Sequence, residues 1–206
     1  MLRFAVFIGA VALASLSAIA GDLRRSDARV EAPVPFVDET PINWGGFYVG
    51  GQVGYGLTGL GQESGDYDTF VGLRTFTGGF HGGFDIQIGR IVVGPYAQID
   101  FTDVEEVSFS WDAGGRAGIL VNDRALVFAV LAYSQLVPDD DEIDSVDGVK
   151  YGLGVEVALD KNIFMNLVVT QTDFDVEGLP DDVDATDNRA QIGFHIKLGS
   201  ALPSLK

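Results

Sequence analysis

The chain has no cysteine, which excludes disulfides, thiolate metal sites and cysteine nucleophiles. Basic residues are scarce: 13 Lys and Arg stand against 30 Asp and Glu, a net charge of −17. A phosphate-binding surface needs the opposite balance, so nucleic acid is excluded as a partner. Histidine is nearly absent too, with only His81 and His195. Beyond the first twenty residues, no apolar run approaches the ~20 residues of a spanning helix. Any membrane role therefore falls to strands.

The composition that remains is contradictory for a water-soluble protein. Mean hydropathy is positive, +0.21, despite the large acidic excess. A transmembrane barrel reconciles the two by turning the apolar face of every strand to lipid, while acidic residues collect in loops and lumen. The 27 glycines and 14 phenylalanines suit such a wall, glycine permitting close packing and aromatics marking membrane interfaces. At 206 residues one domain is expected.

Residues 1–20 read as an export signal. Arg3 supplies a positive start, Phe4 to Leu16 is apolar, and Ala18-Ile19-Ala20 is a small-x-small cleavage site. Residues 21–43 form a polar, proline-containing periplasmic linker in which Pro33, Pro35 and Pro41 prevent regular pairing. Residues 44–199 are expected to form the barrel, and 200–206 a C-terminal tail.

Across the barrel region the hydrophobic period is two. In the second segment Phe76, Phe80, Phe84, Ile86 and Ile88 alternate with Thr75, Thr77, His81, Asp85 and Gln87. The first sets Phe47, Val49, Val53, Tyr55 and Leu57 against Tyr48, Gln52 and glycines. Six further segments follow, giving an all-β, eight-stranded, antiparallel, up-and-down transmembrane barrel. The fifth, from Ala125 to Val137, is apolar on both faces, so periodicity leaves its inward set open.

Short turns are expected at Gly89-Arg90, Asn122-Asp123 and Asp160-Lys161-Asn162. Longer acidic links are expected from Thr58 to Leu73, Pro138 to Gly148 and Asp175 to Asn188, with a compact one between Asp103 and Glu106. This alternation is that of tight periplasmic turns and long external loops. It places Tyr55, Phe76, Phe101, Phe109, Trp111, Tyr133 and Tyr151 in an external aromatic girdle. The inward charged set is Asp85, Asp100, Asp112, Arg116, Lys150, Glu156, Arg189 and Lys197. Charges in so narrow a lumen must pair, and an eight-stranded barrel is just wide enough to be filled by its own side chains.

Several of these segments resemble the small porin-like surface antigens of alpha-proteobacteria, relatives of opacity-type and outer membrane protein A-type barrels. The opening stretch Asn43-Trp44-Gly45-Gly46-Phe47-Tyr48-Val49-Gly50-Gly51 is similar to that family's first strand after its linker. Gly78-Gly79-Phe80-His81-Gly82-Gly83-Phe84, Gly94-Pro95-Tyr96-Ala97 and Gly152-Leu153-Gly154-Val155-Glu156 extend the likeness along the chain. The resemblance implies an outer-membrane location, contact with outer-membrane lipid and lipopolysaccharide, and handling by the barrel-assembly machinery. It departs at the C-terminus, where the family's terminal aromatic is replaced by a tail ending Pro203-Ser204-Leu205-Lys206.

Other motifs have plainer explanations. Gly54-Tyr55-Gly56-Leu57-Thr58-Gly59 spells a dinucleotide-binding glycine pattern, but no amphipathic helix follows it, and the glycines are read as packing positions. His81, His195, Ser108 and Ser110 share the expected interior, yet their spacing matches no catalytic motif. The acidic runs Asp139-Asp140-Asp141-Glu142 and Asp181-Asp182-Val183-Asp184 lack a calcium-loop pattern and read as solvated surface. The expected function is a structural or surface-interaction role without catalysis or cofactor. A small-solute or ion channel is the alternative, and a lipid-modifying enzyme the third. A lipocalin-type soluble barrel is disfavoured because glycines and charges share one face while Phe, Ile and Val occupy the other.

Overall fold

The computed structural model describes residues 42–64, 67–103, 107–140, 144–176 and 183–198, all within one compact unit, Glu39–Lys206. The export signal, residues 21–41 of the linker and the tail at 200–206 lie outside the described residues.

Eight strands follow one another in chain order: β1 (Gly46–Ser64), β2 (Tyr67–Ile88), β3 (Ile91–Thr102), β4 (Val107–Asn122), β5 (Ala125–Pro138), β6 (Val146–Ala158), β7 (Ile163–Asp175) and β8 (Val183–Lys197). Each pairs antiparallel with the next, and β8 returns to β1 to close the barrel, Tyr48 opposite Lys197 and Gly56 opposite Arg189. Closure pairs the backbone groups that an edge strand would leave open, the condition for a sheet to sit in hydrocarbon.

The period-two pattern dictates which side faces where. Leu153, Phe80 and Leu131 are 67%, 64% and 62% exposed on the outer wall, whereas inward neighbours such as Lys150, Asp100 and Glu156 are buried. This is the reverse of a soluble barrel. A wall of exposed Phe, Ile, Leu and Val is stable only against acyl chains.

Several boundaries differ from expectation. The stretch from Thr58 to Leu73 is no loop: β1 and β2 remain paired out to Ser64 opposite Tyr67. Likewise β8 begins at Val183 and pairs with β1 through Gln62, inside the stretch expected to be a link up to Asn188. Glycines and acidic residues such as Gly59, Gly61, Asp68 and Asp184 interrupt the alternation there and conceal the pairing. The β4–β5 turn falls at Asp123-Arg124, one residue later than expected, with a register irregularity between Leu120 and Asn122. Strand β1 starts at Gly46, whose φ of 119° is open to glycine alone. Trp44 is therefore not part of the opening strand. Gly89, φ 60°, makes the tight β2–β3 turn.

The inward face of β5 is now assigned. Leu126, Phe128, Val130, Ala132 and Ser134 are buried, while Val127, Leu131 and Tyr133 face out.

Candidate functional site

The inward faces of the strands bring all eight expected charged residues into the lumen, each buried. They separate into clusters near the end bearing the short turns and near the end bearing the longer connections.

At the turn end, Arg116 of β4 spans the lumen. Its guanidinium bonds Asp85 of β2, Nε lying 2.9 Å from Oδ1, and its Nη1 donates to Glu156 Oε2 of β6 at 2.6 Å. Lys197 Nζ approaches Asp85 Oδ2 at 2.7 Å and also donates to the Trp44 carbonyl. A guanidinium suits the central position because its planar fork serves two carboxylates at once. The Tyr48 ring lies under the Arg116 guanidinium at 4.5 Å, a cation–π contact.

Below this cluster the lumen is apolar. Trp44, Val92, Leu120, Leu126, Phe128, Ala158 and Phe164 pack together. The Trp44 ring meets Phe164 edge-on at 5.1 Å and donates Nε1–H to the Asp123 carbonyl at 3.2 Å. The chain thus folds back under its own first strand and fills the base.

Toward the opposite end Asp100 of β3 is the hub. It accepts from Gln52 Nε2 at 2.7 Å, Gln98 Nε2 at 2.6 Å, Gln191 Nε2 at 3.1 Å and Arg189 Nη1 at 3.1 Å. Arg189 also pairs with Asp187 at 2.8 Å, and Asp187 accepts from Thr58 Oγ1 at 2.5 Å. Lys150 pairs with Asp112. Burying so many charges is costly unless each is paired, and each of the eight has an oppositely charged partner within the lumen, although Asp112 Oδ1, Glu156 Oε1 and Arg189 Nε accept or donate no hydrogen bond.

Between the clusters lie the histidines, with His81 Nε2 3.4 Å from His195 Nδ1. His195 stacks on Phe164 at 5.3 Å with ring planes 10° apart. A cavity of about 50 Å³ beside them is bordered by Tyr48, Gln52, His81, Tyr96, Lys150 and Gln191 among others, room for a few waters. The two serines are not part of this arrangement: Ser110 is buried and Ser108 is exposed. The histidines bond to Gln52, Asn166 and each other, and His195 Nε2 lies 3.3 Å from Glu156 Oε1.

Asp187 and Trp44 were not singled out by the sequence, and Gln52 was placed on the inward face without a role. Asp187 shares the odd parity of Arg189, which is the signal that would have found it, whereas Trp44 precedes β1 and lies outside its alternation. On the outer wall Tyr55, Phe76, Phe101, Tyr133 and Tyr151 are exposed, and Phe109 and Trp111 are half-buried. Tyr55 meets Phe76 at 5.9 Å and Trp111 meets Tyr133 at 5.5 Å. Trp111 Nε1 and the Tyr151 hydroxyl donate to Gln135 and Asp173, both at 3.1 Å, as interfacial rings do with their polar edge turned to water.

A closed antiparallel barrel with an apolar outer wall and an ionic interior defines a membrane-spanning β-barrel of the outer-membrane class. The chain belongs to the family described as outer membrane protein beta-barrel domain, whose family model matches residues 9–197. Its place is accordingly the bacterial outer membrane. No curated protein matches it. Among solved structures it is similar to Neisserial surface protein A, NspA, at 13% identity over 74% of this chain and 97% of that one, TM-score 0.47. The attachment invasion locus protein Ail of Yersinia pestis is similar at 11% identity over 75% and 99%, TM-score 0.44. OprG of Pseudomonas aeruginosa is similar at 11% identity over 78% and 99%, TM-score 0.38.

Proposed function

We propose that this protein is a structural surface component of the outer membrane, a rigid barrel that holds its longer connections outside the cell and contributes to envelope integrity. The lumen is filled by its charged and apolar side chains rather than kept open, and the protein performs no catalysis. Residues 1–20 direct export, the barrel-assembly machinery inserts the mature chain, and the wall and aromatic band contact lipid and lipopolysaccharide. The glycine–aromatic stretches from Asn43 onward favour the surface-antigen branch typical of alpha-proteobacteria.

One observation carries this reading: two ion-paired clusters occupy the lumen, one joining Asp187, Arg189 and Asp100 and the other joining Glu156, Arg116, Asp85 and Lys197, with Trp44 and Phe164 buried below. A diffusing solute would have to break several buried ion pairs, each costly to separate. The test is a deletion strain of the source bacterium, complemented with the wild-type gene. Loss of the protein is expected to raise sensitivity to detergent, with restoration on complementation. Unchanged sensitivity in the deletion strain overturns the envelope role.

A further inference from the structure

Strand β2 outlasts its neighbour on one side. It pairs with β1 without a register shift all the way out to Tyr67, but with β3 only as far as Thr77, because β3 ends at Thr102. Just past that end the Phe76 N–H donates to Asp103 Oδ1 at 2.8 Å, and the Phe76 carbonyl accepts from the Asp103 N–H at 3.1 Å. Main-chain groups of an antiparallel strand turn to its two neighbours alternately. The N–H and C=O of Arg74, Gly72, Phe70 and Asp68 therefore point the same way as those of Phe76, and among the described residues no strand pairs with them there.

An open edge of this kind is a template for another strand. Natural edges are blunted by proline, lysine or bulges. The stretch from Asp68 to Arg74 contains no proline and no lysine, and its register with β1 is unbroken.

The order of residues along this edge selects its partner. Antiparallel pairing joins open residues to open residues. One register alone gives all four of them partners in a second copy: Asp68 with Arg74 and Phe70 with Gly72, repeated about a two-fold axis at Val71. That register follows from the backbone, yet it also sets residues of opposite charge at facing positions at both ends, which favours the pair. Thr69 falls opposite Leu73, itself 64% exposed. Two copies aligned in parallel would instead set Asp68 beside Asp68 and Arg74 beside Arg74.

We propose that the open edge of β2 is a self-recognition surface, pairing antiparallel with the same edge of a second copy about Val71. Such pairing runs the two β2 strands in opposite senses, whereas all copies in one membrane run theirs in the same sense. The two barrels therefore meet connection end to connection end, from apposed membranes. This goes beyond the envelope role, and only the setting between cells rests on the outward placement of the longer connections.

The absence of cysteine makes a cross-linking test clean. Single-cysteine variants of the full barrel are refolded in detergent micelles, checked for heat-modifiable mobility on gels and mildly oxidised. Val71 meets its own copy at a non-hydrogen-bonded position, where Cα atoms stand about 4.5 Å apart, within disulfide reach. V71C is expected to form a covalent dimer at least about tenfold faster than T69C or L73C alone, whose own copies lie beyond bridging distance. T69C mixed with L73C should cross-link as V71C does. R74D added to V71C should abolish the dimer, and D68R combined with R74D should restore it.

Monomeric V71C, or equal cross-linking of all three single variants, overturns self-pairing and leaves the edge to a different extended partner. Failure of the charge-swapped chain to recover overturns the register. Vesicles carrying the barrel with its longer connections outward are expected to cluster, and vesicles carrying R74D to remain dispersed. Cross-linking in micelles without clustering of vesicles overturns the setting between membranes. Unchanged detergent sensitivity in the deletion strain strikes the envelope role alone and leaves the cross-linking result standing.

Discussion

Lys197, the last residue of β8, sets its ammonium 2.7 Å from the Asp85 carboxylate of β2, two strands that do not pair with each other. The contact crosses the lumen beneath β1 and ties the C-terminal strand to the N-terminal hairpin at the base. Closure of the barrel is thus secured by side chains inside as well as by the β1–β8 ladder. Lys197→Met removes one of the two cations serving Asp85 and is expected to cost about 2 kcal/mol, the range for hydrogen bonds to charged groups. Urea unfolding in micelles reads this as a lowered midpoint, and Lys197→Arg should recover most of it. An unchanged midpoint in Lys197→Met would show that the contact contributes nothing.

Arg116 has the more demanding position, since its removal leaves Glu156 without the arginine that bonds it and Asp85 with Lys197 alone. Leaving buried charge unpaired costs about 3–5 kcal/mol. Arg116→Met should therefore lower the unfolding midpoint more than Lys197→Met does. Equal effects would contradict the central place given to the guanidinium.

Glycines along the wall divide by what lies above them. A Cβ on Gly50 would stand 2.1 Å from the Phe194 carbonyl oxygen and 2.5 Å from His195 Cβ, whereas at Gly78 the nearest atom is 3.9 Å away. Backbone oxygen cannot yield as a flexible side chain does. Gly50→Ala is expected to cost at least the 1–3 kcal/mol typical of overpacking and to impair β1–β8 closure. Gly78→Ala should stay within about 0.5 kcal/mol. The fraction of heat-modifiable, folded protein on gels compares the two.

How legible these features were in the sequence depends on whether the two faces of a strand differ. In β2 and β8 they differ sharply, with Phe80 beside His81 and Phe194 beside His195, and alternation alone identified the wall and lumen sides. In β5 both faces are apolar because the lumen's base is itself apolar where Leu126 and Phe128 meet Phe164 and Trp44. Only Ser134, buried beside the outward Tyr133, carried a hint of the register. Pairing in the extensions of β1, β2 and β8 was hidden because glycines and acidic residues such as Gly59, Gly61, Asp68 and Asp184 interrupt the alternation there. The partners within the lumen were legible as a set but not as pairs. Which carboxylate meets which cation depends on strand order and stagger, as when Arg116 reaches Asp85 and Glu156 on different strands.

The outer wall supplies a further test. Leu153 lies mid-strand in β6, opposite Ala129 and Val169, and is 67% exposed. Facing lipid, Leu153→Arg should destabilise the barrel by about 2–4 kcal/mol in vesicles, while Leu153→Phe should change little. A charged side chain tolerated there without cost would contradict the assignment of this face to hydrocarbon.

The most direct measurement of the proposed closed lumen is planar-bilayer recording of the purified, refolded barrel, alongside W44A and R116M. The wild type is expected to insert without discrete conductance steps, because its ionic clusters and the Trp44–Phe164 base leave no continuous aqueous path. Discrete, reproducible steps from wild-type protein would contradict that account.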